Sequence, residues 1–138
     1  MIVFSQTCDL IKDWSHRQSA SGPLDESAPQ LMTHVLLCDL YEEGQLREEQ
    51  KLNSTLWTPI QKNQNERYHH LTAAPVGGCT PGLPDLYLDF KKVYGLPIDN
   101  LYAGIRAGVV RVAVVPPIFL HDILHRFFGF QSRVAVPE

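Results

Sequence analysis

Cysteine is scarce in this chain of 138 residues, and the three present, Cys8, Cys38 and Cys79, form no C-x-x-C pair. Three cannot all pair within one chain, and a disulfide scaffold would be denser, so they read as reduced thiols of a cytosolic protein. Long apolar runs are missing as well: nothing approaches the ~20 residues that span a bilayer. No basic segment leads into a long apolar stretch at the N-terminus, so no secretory signal is visible and the cytoplasm is the expected location. An excess of positive charge is also absent. The net charge of −3 argues against a general polyanion binder. The charge is uneven, with eight basic and twelve acidic side chains in residues 1–92 against four and three in 93–138, which leaves room for a local basic face. Neither a P-loop, nor G-x-G-x-x-G, nor G-x-S-x-G occurs, which removes the best-marked nucleotide-binding and hydrolase classes.

What is present is ordinary globular material, 44% hydrophobic and 20% charged, enough for one domain over 1–138 with a buried core. Ile2 to Phe4 reads as a short strand, ending at the polar stretch Ser5-Gln6-Thr7-Cys8-Asp9. Leu10 to Trp14 makes a single helical turn begun by Asp9. Residues 15–30, polar and broken by Gly22, Pro23 and Pro29, predict a long surface loop. Met32 to Cys38 predicts a buried strand. Asp39, three residues before Glu42, has the spacing of a capping box for a solvated helix over 42–52, in which Glu43 and Arg47 stand at i, i+4.

Strand signals follow at Tyr68–Pro75 and Leu86–Leu96, joined by the turn-rich VGGCTPGLP over 76–84. Along the second of these, Leu86, Leu88 and Phe90 share one face and Tyr87, Asp89 and Lys91 the other, polar one. The β-branched run Val109–Val115 predicts a central strand ended by Pro116-Pro117. IFLHDILHRFFGF (118–130) predicts a helix with Phe119, Leu120, Ile123, Leu124, Phe127 and Phe128 on one arc. Arg133 to Pro137 reads as a last short strand. Strands followed by one strong helix predict an α+β fold, a small antiparallel, SH3-like barrel sheet with a C-terminal amphipathic helix.

Chemistry is concentrated in the pentad. If Asp9 caps a helical turn, Cys8 lies beside unpaired backbone N–H groups whose partial positive charge favours a thiolate. Ser5 and Thr7 add donors for an oxyanion. Cys8 is then a nucleophile, with His34 or His69 as base. In the plainer alternative Cys8 is a packed strand-end side chain, Asp9 only a cap, and the Asp9 charge opposes ionisation of the thiol. Arg67, opening a strand, can bind a phosphate or carboxylate through two N–H groups, or pair with Glu66 or Asp89 for little energy. Asp89 has the same two readings. His121 and His125 stand at the i, i+4 spacing of zinc ligands, but the Glu that usually follows the first His is absent, and His69 and His70 point to opposite faces of a strand. Neither a metal nor a cofactor is expected.

The stretches VFSQTCDL, NERYHHL and LPDLYLDFKKVYGLP, with an ending that carries Arg133, Val134 and Pro137, resemble a group of uncharacterised bacterial and phage-associated proteins. Those proteins carry a Ser-Gln-(Thr or Ser)-Cys-Asp motif at a strand end. The placing of polar residues directly after a strand is more distantly similar to the SH3-like barrels of the MazF and PemK toxins. That resemblance implies an endoribonuclease site in which Ser5 or Thr7 and Arg67 match by position. The basic opening strand of those toxins has no counterpart before Ile2, and an upstream strand would complete a barrel more comfortably than Ile2 to Phe4.

The expectation is therefore a binding module of a bacterial accessory or defence-type system. It would recognise a polar ligand, such as a nucleotide or RNA, through Ser5, Thr7, Asp9, Arg67, His69 and Asp89. The alternatives are a cysteine-dependent hydrolase working through Cys8, a MazF-like endoribonuclease, and a structural protein whose partner docks on the 15–30 loop and the 42–52 helix.

Overall fold

In the computed structural model, which describes residues 1–5, 7–25, 28–76, 79–109 and 114–133, the chain is α+β. Its order is β1 (Ile2–Val3), α1 (Thr7–Ser19), β2 (His34–Tyr41), α2 (Glu43–Glu49), α3 (Ser54–Gln61), β3 (Tyr68–Leu71), β4 (Ala74–Val76), β5 (Cys79–Leu83), β6 (Leu86–Pro97), α4 (Ile98–Arg106) and α5 (Pro117–Ser132). Four antiparallel strands in the order β1-β2-β6-β3 curl into a half-barrel, and β4 and β5 form a separate hairpin. Among the described residues no helix is long and apolar enough to cross a membrane. The chain divides into two units, one of Cys38–Val93 and Arg111–Glu138 with Met1, the other of Ile2–Leu37 and Tyr94–Val110.

In the larger unit the start of β6 is covered on both faces. Tyr87, Leu88, Asp89 and Phe90 are all fully buried. On one face α2 and α3 close over Tyr87 with Leu46, Trp57 and Ile60, and the Trp57 and Tyr87 rings are 4.6 Å apart. On the other, Phe127 of α5 meets Phe90 edge-on at 5.8 Å. This corrects the alternation read from the sequence, because the side carrying Tyr87 and Asp89 is roofed by helices rather than solvated. Helix α3 has no counterpart among the elements expected from the sequence. It starts where the Asn53 side chain accepts the Leu56 N–H at 3.0 Å, an N-cap. Helix α2 does form the Glu43–Arg47 pair, at 2.9 Å. Its N-terminus is Glu42 rather than Asp39, since β2 runs on to Tyr41, and the Gln45 side chain accepts the Glu42 N–H at 3.2 Å.

The edge strand β3 is closed by side chains. It pairs with β6 in the register Tyr68↔Asp89 to Leu71↔Leu86. On its outer side the Asn63 carboxamide accepts the His70 N–H at 2.6 Å and donates to the His70 carbonyl at 3.1 Å. One amide thereby imitates a neighbouring strand. Asn63 has φ 54°, a left-handed conformation that asparagine tolerates better than most residues. Asn65 accepts the Tyr68 N–H and Arg126 of α5 donates to the Tyr68 carbonyl. An unpaired edge invites association, and this one has its groups satisfied.

In the smaller unit Val35 and Leu37 of β2 and Ile98 and Tyr102 of α4 form the core, with Leu10 of α1 against it. Helix α1 continues well past the single turn expected at 10–14, to Ser19, so the loop begins at residue 20 rather than 15. The reason is Asp13, fully buried, whose carboxylate accepts from Arg17 Nε at 2.8 Å, the Met32 N–H at 2.8 Å and the Tyr102 hydroxyl at 2.5 Å. Arg17 donates again to Asp99 at 2.9 Å. A polar stretch that reads as loop is thus held helical by one carboxylate.

The expected strand Val109–Val115 falls largely on residues 110–113, and the last strand on 134–137; both lie outside the described residues. The helix read at 118–130 is α5. It buries Ile123 and Phe127 and leaves Ile118, Phe119 and Phe128 exposed.

Candidate functional site

The pentad joins β1 to α1. Phe4 donates its N–H to the Leu36 carbonyl at 2.8 Å, and the Ser5 hydroxyl accepts the Leu36 N–H at 3.0 Å. Ser5 therefore prolongs the strand pairing by a side-chain hydrogen bond. Gln6 lies outside the described residues, and Thr7 opens α1. Cys8 is exposed in the first turn, its Sγ 3.7 Å from Asp9 Oδ1. The first N–H groups of a helix have no partner within it and carry partial positive charge, which suits a thiolate or a bound anion, while the Asp9 carboxylate works against a second negative charge beside it.

Asp9 and Lys12, three residues apart and so on one side of α1, line a cavity of about 460 Å³ together with Pro29, Gln30 and Met32. The helix sets the two charges and the loop ahead of β2 supplies the opposite wall. Asp13 follows Lys12 on the same helix and binds the Met32 N–H. Burial alone would raise its pKa, but the hydrogen bonds from Tyr102, the Met32 N–H and Arg17 hold it below the usual carboxylate range. Burial, and then Asp13, push Tyr102 up. This network holds α1, the Met32 end of the cavity wall and α4 in one geometry.

Arg67, His69 and Asp89 belong to the larger unit. Arg67 meets Asp89 as a fork, Nε to Oδ1 at 2.8 Å and Nη2 to Oδ2 at 2.6 Å, and Nη2 also donates to Gln50 at 3.1 Å. The hydrogen bond with Asp89 raises the Arg67 pKa against the opposing effect of burial. Asp89 takes the Lys91 N–H as well, at 3.0 Å, and the Cys38 thiol approaches its carbonyl at 3.4 Å. Burial first, and then the Asp89 charge, push the Cys38 thiol up to about 12. His69, only 4% exposed, is held at about 4 by burial, with the Arg126 charge adding to the effect. His70 turns the other way, stacked on Tyr87 at 4.7 Å with its Nδ1 2.9 Å from the Gln61 carbonyl.

The structure thus brings Arg67 and Asp89 together, facing each other, and puts Asp9 on a cavity wall with Cys8 exposed beside it. Lys12, Gln30 and Met32 complete that cavity and were not singled out in the sequence, although the i, i+3 spacing of Asp9 and Lys12 was available once a helix was assumed. Among the described residues no group of three or more His, Cys, Asp or Glu side chains could hold a metal ion. Comparison of the chain with family models, with curated proteins and with solved structures gave no match.

Proposed function

We propose that the chain is a binding module of a bacterial accessory or defence-type system, taking a polar ligand of the nucleotide or RNA class at the pentad end of α1. The observation that carries this reading is the cavity that joins Asp9 and Lys12 to the Pro29–Met32 wall. It offers a cation for a phosphate and a carboxylate for a ribose hydroxyl or base N–H, with apolar surface from Met32 and Pro29 between them. The curled half-barrel supports a distant relation to SH3-like barrels, and the pentad supports one to the Ser-Gln-(Thr or Ser)-Cys-Asp group. In an endoribonuclease of the MazF kind Arg67 would have to reach the RNA, and its guanidinium is already forked onto Asp89. The binding reading asks nothing of it.

The test is calorimetric titration of the full chain with ribonucleotides and a short single-stranded RNA. Lys12→Ala should weaken binding about tenfold or more, the loss of one charge-assisted hydrogen bond, and Asp9→Ala should weaken it too, both with little change in melting temperature. Unaltered affinity in both variants would remove the cavity from consideration.

The exposure of Cys8 in the first turn of α1 favours a second reading, a cysteine-dependent hydrolase. The alkylation rate of Cys8 against pH, with Cys38 and Cys79 changed to Ser, decides it. A midpoint well below the ~8.5 of an ordinary thiol supports the enzyme, and an ordinary midpoint leaves the binding module.

A further inference from the structure

A second pocket lies within the larger unit, of about 210 Å³, between the Asn63–Glu66 loop and the end of α5, which contributes Arg126 and Gly129, with Arg133 just after the helix. Arg126 donates to the carbonyls of Asn63, Asn65 and Tyr68, the last two at 2.6 and 2.9 Å. Three carbonyl dipoles satisfy hydrogen bonds but bring no formal charge, so the guanidinium enters the pocket wall with its unit charge intact. Its Nε is buried with no hydrogen-bond partner among the described residues. Burial works against the charged form, with Asp122 acting the other way. Buried His69 senses the same charge and likewise has its Nδ1 without a partner among the described residues. A second cation, Arg133, stands one heptad on, against Glu66 at the rim. The residues that line the pocket carry two guanidinium groups against one carboxylate, with Asp122 outside the lining.

Gly129 adds an independent point. It sits inside α5, where glycine is a poor choice, and packing does not demand it, because a Cβ there would meet no atom within 4 Å. With no side chain at this lining position, the wall there is backbone alone.

We propose that this pocket is an oxyanion site that takes a phosphate group, free or as a monoester, between Arg126 and Arg133. Arg126 keeps one Nη1 hydrogen beyond those its three carbonyls take, and Arg133 can turn its planar fork from the exposed Glu66 to a pair of phosphate oxygens. The pocket has room for one phosphate and part of a sugar, not for an apolar ligand of drug size. Binding here supplies the anion that the Asn63–Asn65–Tyr68 carbonyls cannot. The site is independent of the Asp9–Lys12 cavity and does not rest on the function proposed for it.

The experiment is titration of the full chain with inorganic phosphate at constant ionic strength, against chloride, followed by backbone amide shifts of Gln64–Glu66 and Gly129. Saturable shifts confined to this loop and α5 are expected, weakened about tenfold in Arg133→Ala, the equivalent of one charge-assisted hydrogen bond, and unchanged in Lys12→Ala. Arg133 is exposed, so that variant should fold and reports on the pocket alone. Adenosine monophosphate binding more tightly than phosphate identifies a monoester site, and equal binding a free-phosphate site. Shifts that fail to saturate, or that persist undiminished in Arg133→Ala, overturn the proposal.

Discussion

Asp13 shows how much one carboxylate can hold. It is fully buried and takes hydrogen bonds from its own helix, from the segment ahead of β2 and from α4. Removing one partner of a buried, hydrogen-bonded charge leaves the others unmatched, which costs more than the pair itself is worth. Asp13→Ala is therefore expected to destabilise by about 3 kcal/mol and to shorten α1, read as loss of helical circular dichroism and a lower urea midpoint. Because its folded pKa lies below its unfolded value, its contribution is present above about pH 4 and is lost as the pH falls through the folded pKa. The two described thiols contrast with each other. Cys8 should react with an alkylating reagent in the native protein, whereas Cys38, buried and pushed up to about 12, should react only on unfolding. Mass spectrometry of labelled peptides in native buffer and in urea checks this.

At the scale of the element, β3 depends on its neighbours' side chains more than on its own residues. Asn63→Ala removes both bonds to His70 and puts a residue less suited to φ 54° in the turn. The expected cost is about 2 kcal/mol, and Asn63→Gly, which relieves the backbone but not the bonds, should recover only part of it. Chemical denaturation of the two variants separates the terms. Helices α1 and α5 show where periodicity misleads in opposite directions. The sequence underestimates α1, because its last turns are polar and are helical through the bonds of Arg17 to Asp13 and Asp99. It overestimates the apolar face of α5, because only the stripe of Ile123 and Phe127 is buried, and Phe119 and Phe128 remain exposed. A helical wheel shows what a face could bury, and only the partner surface sets how much of it does.

For the molecule as a whole, each unit carries its own acid-sensitive group. His69 in the larger unit is about 4 when folded against 6.5 when free, so the unfolded chain binds its proton first. Stability should fall as the pH drops from about 6.5 toward 4, by roughly 2–4 kcal/mol at the lower end. Asp13 in the smaller unit acts only below that range. Urea midpoints between pH 7 and 4 should slope downward in the wild type and flatten in His69→Gln. An equal slope in both would assign the acid sensitivity elsewhere. Protection factors, corrected for the slower intrinsic exchange at lower pH, should fall in β3 and α5 at pH 5 relative to pH 7, while those of the amides around Asp13 should hold.

Local chemistry was enough to determine several things from the residues alone: the α+β class, the strand at Leu86–Leu96, the helix behind Pro117, the polar junction after Phe4, and the opposite facing of His69 and His70. Each follows from side-chain periodicity or backbone restriction within a dozen residues. Tertiary structure decided the rest. Asp89 reads as a surface carboxylate until α2 and α3 roof its face and Arg67 forks onto it. Lys12 is an unremarkable surface lysine until Met32 and Pro29 arrive from the loop ahead of β2 to make a cavity with it. Arg126 looks like the solvated side of an amphipathic helix until three carbonyls of a distant loop and strand converge on it. In each case the partner is 17 or more residues away along the chain, and even where the residues suggest the pair, as for Arg67 and Asp89, no local pattern gives its burial. The charge of a group is written in its own residue, but whether that charge is solvated, paired or left waiting for a ligand depends on what the fold places against it.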